Sequence, residues 1–253
     1  MFAIECEKML ILAIDTSTRT GSVAVLRDNQ VLDEVSGHEE TPYSTRLFRD
    51  LELLQSRAHF RMDQIDVFAV ASGPGSFTGL RIGLTAVKAW AEVHSKPVAA
   101  ISGLEAIAVQ SKALAQARDA DSERNVTIIS PFLDARRGQL FGSCYRRNSG
   151  RPAQLALVGQ ESILSAEEFL KLVMENSRSN RPLLVSPTPD VLPSDLVLQM
   201  LPGARIEVVS GILAPVIGQL GFERARRGEL VDAMHLDANY VRRSDAESHW
   251  KDA

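Results

Sequence analysis

Apolar and polar positions along the chain follow two periodicities, which predict most of its elements. Short apolar runs rich in β-branched residues predict strands, the first over residues 10–14 with Asp15 at its end. Two more strands, joined by short turns, complete an antiparallel meander up to Val35. Apolar residues three and four apart predict helices over residues 43–59 and 77–94. The same criteria predict strands over residues 65–71, 97–102, 126–134, 139–145 and 182–186, and helices over residues 103–118, 166–175 and 213–227.

The order strand, aspartate, turn and strand occurs twice, with the aspartates at Asp15 and Asp134. This repeat predicts two related α/β halves. We expect an N-terminal subdomain over residues 9–101 and a C-terminal subdomain over residues 102–212, with the helix over residues 213–228 packed back on the first. Residues 1–8 are expected to be an N-terminal extension, and residues 229–253 a mostly polar, partly ordered C-terminal tail.

The glycine-rich block from Ser72 to Gly83, SGPGSFTGLRIG, joins a predicted strand to a predicted helix. Its glycines permit positive φ and close backbone approach, and Ser76 is placed to cap the helix. Amides at such a helix start can hold an anion. The spacing matches neither the phosphate-loop nor the dinucleotide pattern. Two interpretations therefore stay open, a phosphate-binding turn and a tight turn before a well-capped helix.

Composition narrows the classes of function. The formal net charge of −4 argues against a dedicated nucleic-acid binder, and the four arginine doublets are more typical of a solvated surface than of a basic face. Two cysteines, Cys6 and Cys144, are too few for a disulfide framework or a zinc site. Apolar runs fall short of the ~20 residues of a membrane-spanning helix, and no signal-peptide pattern is present. We therefore expect a cytoplasmic protein with no membrane partner.

Four segments, taken in order along the chain, resemble the bacterial TsaB family, also called YeaZ. They are residues 11–18, 73–83, 102–106 and 134–138. The resemblance implies an α/β fold of the actin, sugar-kinase and Hsp70 (ASKHA) type, with two related subdomains that are each a mixed sheet with helices. It also implies a role in threonylcarbamoylation of the adenosine next to the anticodon, in tRNAs that read codons starting with A. In that pathway TsaD transfers the group to tRNA, TsaE is an associated ATPase, and TsaB is the required non-catalytic partner.

The residues agree with a chain that lacks the chemistry of TsaD. That paralogue holds a metal with a His-x-x-x-His pair on its first long helix, whereas the matching helix here begins TPYSTRL. Tyr43 stands about where relatives in the family often carry one histidine, and the five histidines form no pair at ligand spacing. We therefore expect no catalytic residue and no metal. No cofactor is expected either, beyond weak ATP or ADP shared with the partner.

An ATP-dependent phosphotransferase of the sugar-kinase-like fold is the alternative function. It would use Asp15 or Asp134 as the acid near the transferred phosphate. Each aspartate also fits a structural role, in which it accepts hydrogen bonds from the turn amides that follow, and this role is favoured. Turns that face phosphate in the ASKHA fold are expected to persist here only as remnants. Their residues are Asp15, Thr16, Ser17, Gly73, Gly75, Ser76 and Asp134.

The two long helices supply the expected partner surface. Small residues four apart allow another helix to approach closely, although each apolar stripe could instead face its own sheet. Each helix also has apolar residues off its main stripe, namely Phe48, Leu53, Leu80 and Leu84. In the TsaB family these helices contact TsaD, or a second TsaB when TsaD is absent, and tRNA is reached only through the complex. The resemblance therefore implies a partner interface at Leu47, Leu51, Leu54, Gly79, Gly83, Val87 and Trp90.

Overall fold

The computed structural model describes residues 8–37, 43–111, 128–147, 155–177 and 182–241. These residues form two compact units, one containing the chain up to Gly103 together with Ile212–Tyr240, the other containing Leu104–Gly211. Each unit is built on a mixed sheet of five strands with helices packed on it. The predicted fold class, α/β with two mixed-sheet subdomains, is confirmed.

The sheet of the first unit has the strand order β3-β2-β1-β4-β5. Its strands are β1 (Leu10–Asp15), β2 (Ser22–Arg27), β3 (Gln30–Ser36), β4 (Val67–Gly73) and β5 (Val98–Ser102). The first three form the predicted antiparallel meander, and β4 and β5 run parallel to β1. Every residue of β1 is buried, which requires that both faces of the sheet be covered.

The sheet of the second unit repeats this topology. Its strands are β6 (Ile128–Arg136), β7 (Gln139–Arg147), β8 (Leu155–Ser165), β9 (Leu183–Ser186) and β10 (Arg205–Val208). Their order, β10-β9-β6-β7-β8, is that of the first sheet, with an antiparallel meander followed by two parallel strands. The repeat predicted from Asp15 and Asp134 is therefore a repeat of whole sheets.

Helices cover both faces of the first sheet. The described helices are α1 (Tyr43–Ala58), α2 (Phe77–His94), α3 (Gly103–Ala108), α4 (Ala166–Asn176), α5 (Ser194–Met200) and α6 (Ala214–Arg226). α1 and α2 share one core cluster with Phe68 and Val70 of β4. Ala69 lies between Phe68 and Val70, so its side chain points to the other face of the sheet. Gly221 of α6 lies against Ala69, and α6 therefore packs on that opposite face.

Several elements differ from the prediction. β8, α5 and β10 were not predicted, because Gly159, with a φ of 80°, interrupts β8, and because α5 and β10 are only seven and four residues long. α3 ends at Ala108 and is followed by a turn, so the helix predicted over residues 103–118 is shorter within the described chain. Its remainder from residue 112 lies outside the described residues.

Residues 229–240, in the segment predicted to be a partly ordered tail, pack on the first unit. Val231 makes an antiparallel bridge to Val98 at the edge of the first sheet, and Leu236 is 1% exposed within the core. The amide of Asn239 donates to the carbonyl of Ser72 at 2.7 Å. The mostly polar composition of residues 229–253 hid this attachment, because composition does not show which apolar side chains are buried. The rest of the predicted tail, residues 242–253, and most of the predicted extension, residues 1–7, lie outside the described residues.

Candidate functional site

Asp15 ends β1 at the first predicted phosphate-facing turn, and its carboxylate is used within that turn. The residue is fully buried. One carboxylate oxygen accepts from the amide of Ser17 at 2.8 Å and from its hydroxyl at 2.6 Å, and the other accepts from the hydroxyl of Thr18 at 2.8 Å. Burial raises the pKa of Asp15 above its ordinary value, although these hydrogen bonds oppose the shift. This geometry matches the structural role proposed for the aspartate.

The glycine turn is closed by contacts from the chain itself. Ser76 caps α2 as predicted, with the amide of Gly79 donating to its hydroxyl at 3.3 Å. The amide of Ser76 donates to the carbonyl of Ser17 at 2.8 Å. A β-carbon at Gly75 would lie 2.6 Å from that same carbonyl, and one at Gly73 would lie 2.5 Å from the carbonyl of Asn239. These glycines therefore allow two backbone segments to approach the turn.

Thr16, and not a partner helix, packs against Gly79 and Gly83. The Thr16 hydroxyl donates to the carbonyl of Gly79 at 2.7 Å. A β-carbon on Gly79 would overlap the Thr16 carbonyl, and one on Gly83 would overlap the Thr16 hydroxyl. Both glycines are buried in this contact, so assigning them to a partner interface was wrong. The spacing of these small residues correctly predicted that another segment approaches α2 closely. That segment is the turn after β1.

The leucine stripe of α1 was also misassigned. Leu47, Leu51 and Leu54 are 0–5% exposed, and Val87 of α2 is fully buried. All four lie in the core cluster of the first unit, because an apolar stripe at helical spacing covers the sheet beneath it. The off-stripe residues Leu80 and Leu84 are buried there as well. The predicted interface residues, Trp90 excepted, are therefore core residues.

An exposed apolar surface lies beside that core, on the outer side of α1 and α2. Phe48 is 57% exposed and meets the half-buried Trp90 edge to face, with ring centroids 6.1 Å apart. Val93 is 77% exposed, and Ala86 and Ala89 lie on the same side of α2. We call these five residues the Phe48–Trp90 surface. The signal for it was present in the sequence, since Phe48 lies off the main stripe of α1.

A buried polar cluster at the start of α1 was missed. The Arg46 guanidinium lies 4.5 Å from the centroid of the Tyr43 ring, pairs with Asp50 at 3.0 Å, and donates to the carbonyl of Thr20 at 2.8 Å. Burial, with the nearby charge of Asp15, raises the pKa of the Tyr43 phenol. Arg46 and Asp50 fall on the buried face of an amphipathic helix, where periodicity alone predicts apolar residues.

Asp134 occupies the corresponding turn of the second unit, at the end of β6. It is exposed, and its carboxylate accepts from the amide of Arg136 at 2.7 Å.

Within the described residues no group of three His, Cys, Asp or Glu side chains is arranged to hold a metal ion. None of the described helices has the length and hydropathy needed to cross a membrane.

Comparison with known proteins places the chain in a family. Residues 41–183 match the family model of TsaD, tRNA N6-adenosine threonylcarbamoyltransferase. A tRNA threonylcarbamoyladenosine biosynthesis protein TsaB, from Bacillus subtilis strain 168, is 30% identical over 96% of this chain and 98% of its own length. The chain belongs to the TsaB (YeaZ) family. The resemblance carried by the four sequence segments is therefore confirmed.

Other TsaB proteins agree with this assignment. TsaB from Escherichia coli strain K12 is 29% identical over 55% of this chain and 56% of its own length. YeaZ from Pseudomonas aeruginosa superposes with a TM-score of 0.71 at 23% identity, covering 92% of this chain and 99% of that structure. The two repeated sheets are thus the two ASKHA-type subdomains of the YeaZ fold.

Proposed function

We propose that this chain is a non-catalytic scaffold and activator subunit that pairs with TsaD in tRNA threonylcarbamoyladenosine biosynthesis. The complex would transfer the threonylcarbamoyl group to the adenosine next to the anticodon of tRNAs that read codons starting with A. TsaE would associate with the same complex, and a second copy of this chain would occupy the TsaD-binding surface when TsaD is absent. Membership of the TsaB family supports the pathway, because the Bacillus subtilis relative that matches 96% of the chain is named as a protein of tRNA threonylcarbamoyladenosine biosynthesis.

The Phe48–Trp90 surface carries the proposal of a partner. Two aromatic side chains and three small or aliphatic ones form one apolar strip across two long helices. Large exposed aromatic groups of this kind are typical anchors of protein interfaces. The strip lies on regular helices whose opposite faces are fixed in the core, so it needs little ordering on binding. A helical partner surface fits this shape.

The Asp15 turn supports a non-catalytic role. A phosphotransferase of this fold would need an acid that reaches the transferred phosphate. Asp15 is fully buried, and both of its carboxylate oxygens accept hydrogen bonds from Ser17 and Thr18. The Ser76 amide, which would serve an anion at the start of α2, instead donates to Ser17. We therefore propose no cofactor for the isolated chain, and the phosphotransferase stays the alternative.

Co-purification tests the partner surface. Phe48→Glu and Val93→Glu place charges on the Phe48–Trp90 surface without touching the core, and each is expected to abolish capture of co-expressed TsaD. Leu198→Glu is the matched control, because Leu198 is 72% exposed on α5 of the other unit. The melting temperatures of all three variants should match the parent. Capture of TsaD that is equal in all four proteins would contradict the proposed surface.

Calorimetry with ATP and magnesium tests the alternative. A scaffold subunit is expected to give no saturable heat as the isolated chain. Tight binding by the isolated chain, lost in Asp15→Asn, would support the phosphotransferase instead.

A further inference from the structure

The turn between β1 and β2, residues 16–21, holds α2 through the side chain of Thr16. The Thr16 hydroxyl donates to the carbonyl of Gly79 at 2.7 Å, and a β-carbon on Gly83 would overlap the oxygen of that hydroxyl. Because both helix positions are glycine, the hydroxyl reaches the backbone of α2 itself. A hydrogen bond depends on distance and angle, so this contact specifies where the helix lies along its axis and how it is rotated.

The same turn also holds α1. The Arg46 guanidinium donates to the carbonyl of Thr20 at 2.8 Å, and Arg46 is only 5% exposed, so this bond is made in the interior of the first unit. The Tyr43 phenol occupies the space that a β-carbon on Gly21 would take. One short turn is therefore bonded to both of the helices that carry the Phe48–Trp90 surface.

The turn is itself fixed relative to the sheet. It follows Asp15, the last residue of the fully buried strand β1, and the Asp15 carboxylate accepts from Ser17 and Thr18 within the turn. The carbonyl of Ser17 accepts from the amide of Ser76 at 2.8 Å. These bonds hold the turn backbone in one conformation, so the Thr16 hydroxyl is a fixed attachment point for α2.

The apolar contacts of α2 do not specify its position in the same way. They hold the helix to the sheet through a stripe of core residues, Leu80, Leu84, Val87 and Ala91. Apolar burial is non-directional, whereas the bond from Thr16 depends on the exact place of the helix backbone. The Phe48–Trp90 surface combines one residue of α1 with four of α2, and a partner that contacts both helices needs them in a fixed relation.

We infer that Thr16 is a positioning residue for the Phe48–Trp90 surface. Its hydroxyl sets the position of α2, and so places Trp90 against Phe48 of α1, where the two rings meet edge to face with centroids 6.1 Å apart. This inference rests on the proposed function for the identity of the partner. It goes further by assigning a part in partner binding to a residue that is 2% exposed and lies outside the binding surface.

The test compares two variants at position 16 with a control on the other face of the sheet. Thr16→Val replaces the hydroxyl by a methyl group, which cannot donate and needs more room beside the Gly79 carbonyl, whereas Thr16→Ser keeps the hydroxyl. Ile217→Ala controls for lowered stability, because Ile217 is fully buried on α6, away from α1 and α2. The parent and all variants carry Trp250→Phe, which leaves Trp90 as the single tryptophan.

Two quantities are measured at a temperature at which every protein is folded, namely the dissociation constant for purified TsaD and the emission maximum of Trp90. Thr16→Val should raise the dissociation constant about tenfold and shift the emission, because Trp90 is half-buried beside Phe48 and moves with α2. Thr16→Ser should keep the parent values of both.

Ile217→Ala should lower the melting temperature at least as much as Thr16→Val and still keep both parent values. The inference requires both changes in Thr16→Val and neither change in the other two proteins. A Thr16→Val protein with the parent affinity or the parent emission would overturn it, and so would an equal change in Thr16→Ser or in Ile217→Ala.

Two further outcomes are decided by the same measurements. If Thr16→Val does not fold, Thr16→Ala removes the hydroxyl without adding a methyl group in its place, and it is held to the same two criteria. Failure of the parent to bind TsaD would refute the proposed function, and the Trp90 emission of the isolated chain would still decide whether Thr16 positions the surface.

Discussion

The Thr16 side chain lies against Gly83 at a separation that leaves no room for a β-carbon. One helical turn earlier the Thr16 hydroxyl donates to the carbonyl of Gly79, so the turn after β1 is held to α2 by packing and by a hydrogen bond. Thr16 is 2% exposed. Ala86 and Val93 of the Phe48–Trp90 surface lie two and four helical turns further along nearly the same side of this helix as Gly79. α2 thus connects the Asp15 turn with the proposed partner surface.

Alanine at Gly83 or Gly79 should destabilise the fold by about 1–3 kcal/mol, because each added methyl overpacks a buried contact. Thr16→Ala should reduce the destabilisation caused by Gly83→Ala but not the destabilisation caused by Gly79→Ala. The clash at Gly83 is with the Thr16 hydroxyl, which that change removes, whereas the clash at Gly79 is with the Thr16 carbonyl, which remains. Denaturant unfolding of the two double-mutant cycles measures this. Additive effects at Gly83 would contradict the contact.

Asp15 should give the stability a pH dependence of defined sign. Its pKa is raised in the folded state above the ordinary value of 3.8, mainly by burial. The group therefore contributes most to stability below the unfolded pKa, and this contribution is lost as pH rises through the folded pKa. Asp15→Asn cannot titrate. The unfolding free energy of the parent relative to this variant should fall as pH rises above the unfolded pKa, and should level off once pH has passed the raised pKa of the folded state. A difference that grows with pH would refute the assignment.

The buried pair of Arg46 and Asp50 should be sensitive to loss of one partner. Their side chains are 6% and 10% exposed and 3.0 Å apart. Arg46→Met leaves the Asp50 carboxylate without this partner and should cost about 3–5 kcal/mol. Arg46→Met combined with Asp50→Leu should recover part of that loss, because no buried charge remains. Thermal unfolding of the single and double variants decides this, and a double variant less stable than Arg46→Met would count against it.

The segment after α6 should contribute to the stability of the first unit. Leu236 is 1% exposed in the core, so Leu236→Ala should cost about 2–5 kcal/mol. Met234, two residues earlier, is 85% exposed, and Met234→Ala should leave the unfolding free energy unchanged. Urea titration of both variants measures the difference. Equal stabilities would mean that the segment behaves as the tail predicted from its polar composition.

The elements that the sequence predicted well are those that are defined by residue types at short spacing along the chain. β1 has an apolar residue at almost every position, so it had to be covered on both faces. α2 was predicted with the bounds that it has in the structure, because Ser76 is a clear N-cap. The strand β8 was not predicted, because Gly159 interrupts the alternation of its polar and apolar residues. The burial of Leu236 was not predicted, because an apolar residue between two polar ones does not show whether it is buried.

The candidate site divides in the same way. Sequence alone determined the family, the repeated strand, aspartate and turn, and the capped helix after the glycine block, since these depend on residue types at short spacing. The tertiary structure alone decided which segment fills each close approach. Glycines at positions 79 and 83 indicate that another segment approaches α2 closely, but they do not show which segment it is. In the structure that segment contains Thr16, 63 residues from Gly79 along the chain. Likewise the stripe of Leu47, Leu51 and Leu54 requires burial, and only packing showed that its own sheet buries it and leaves Phe48 outside.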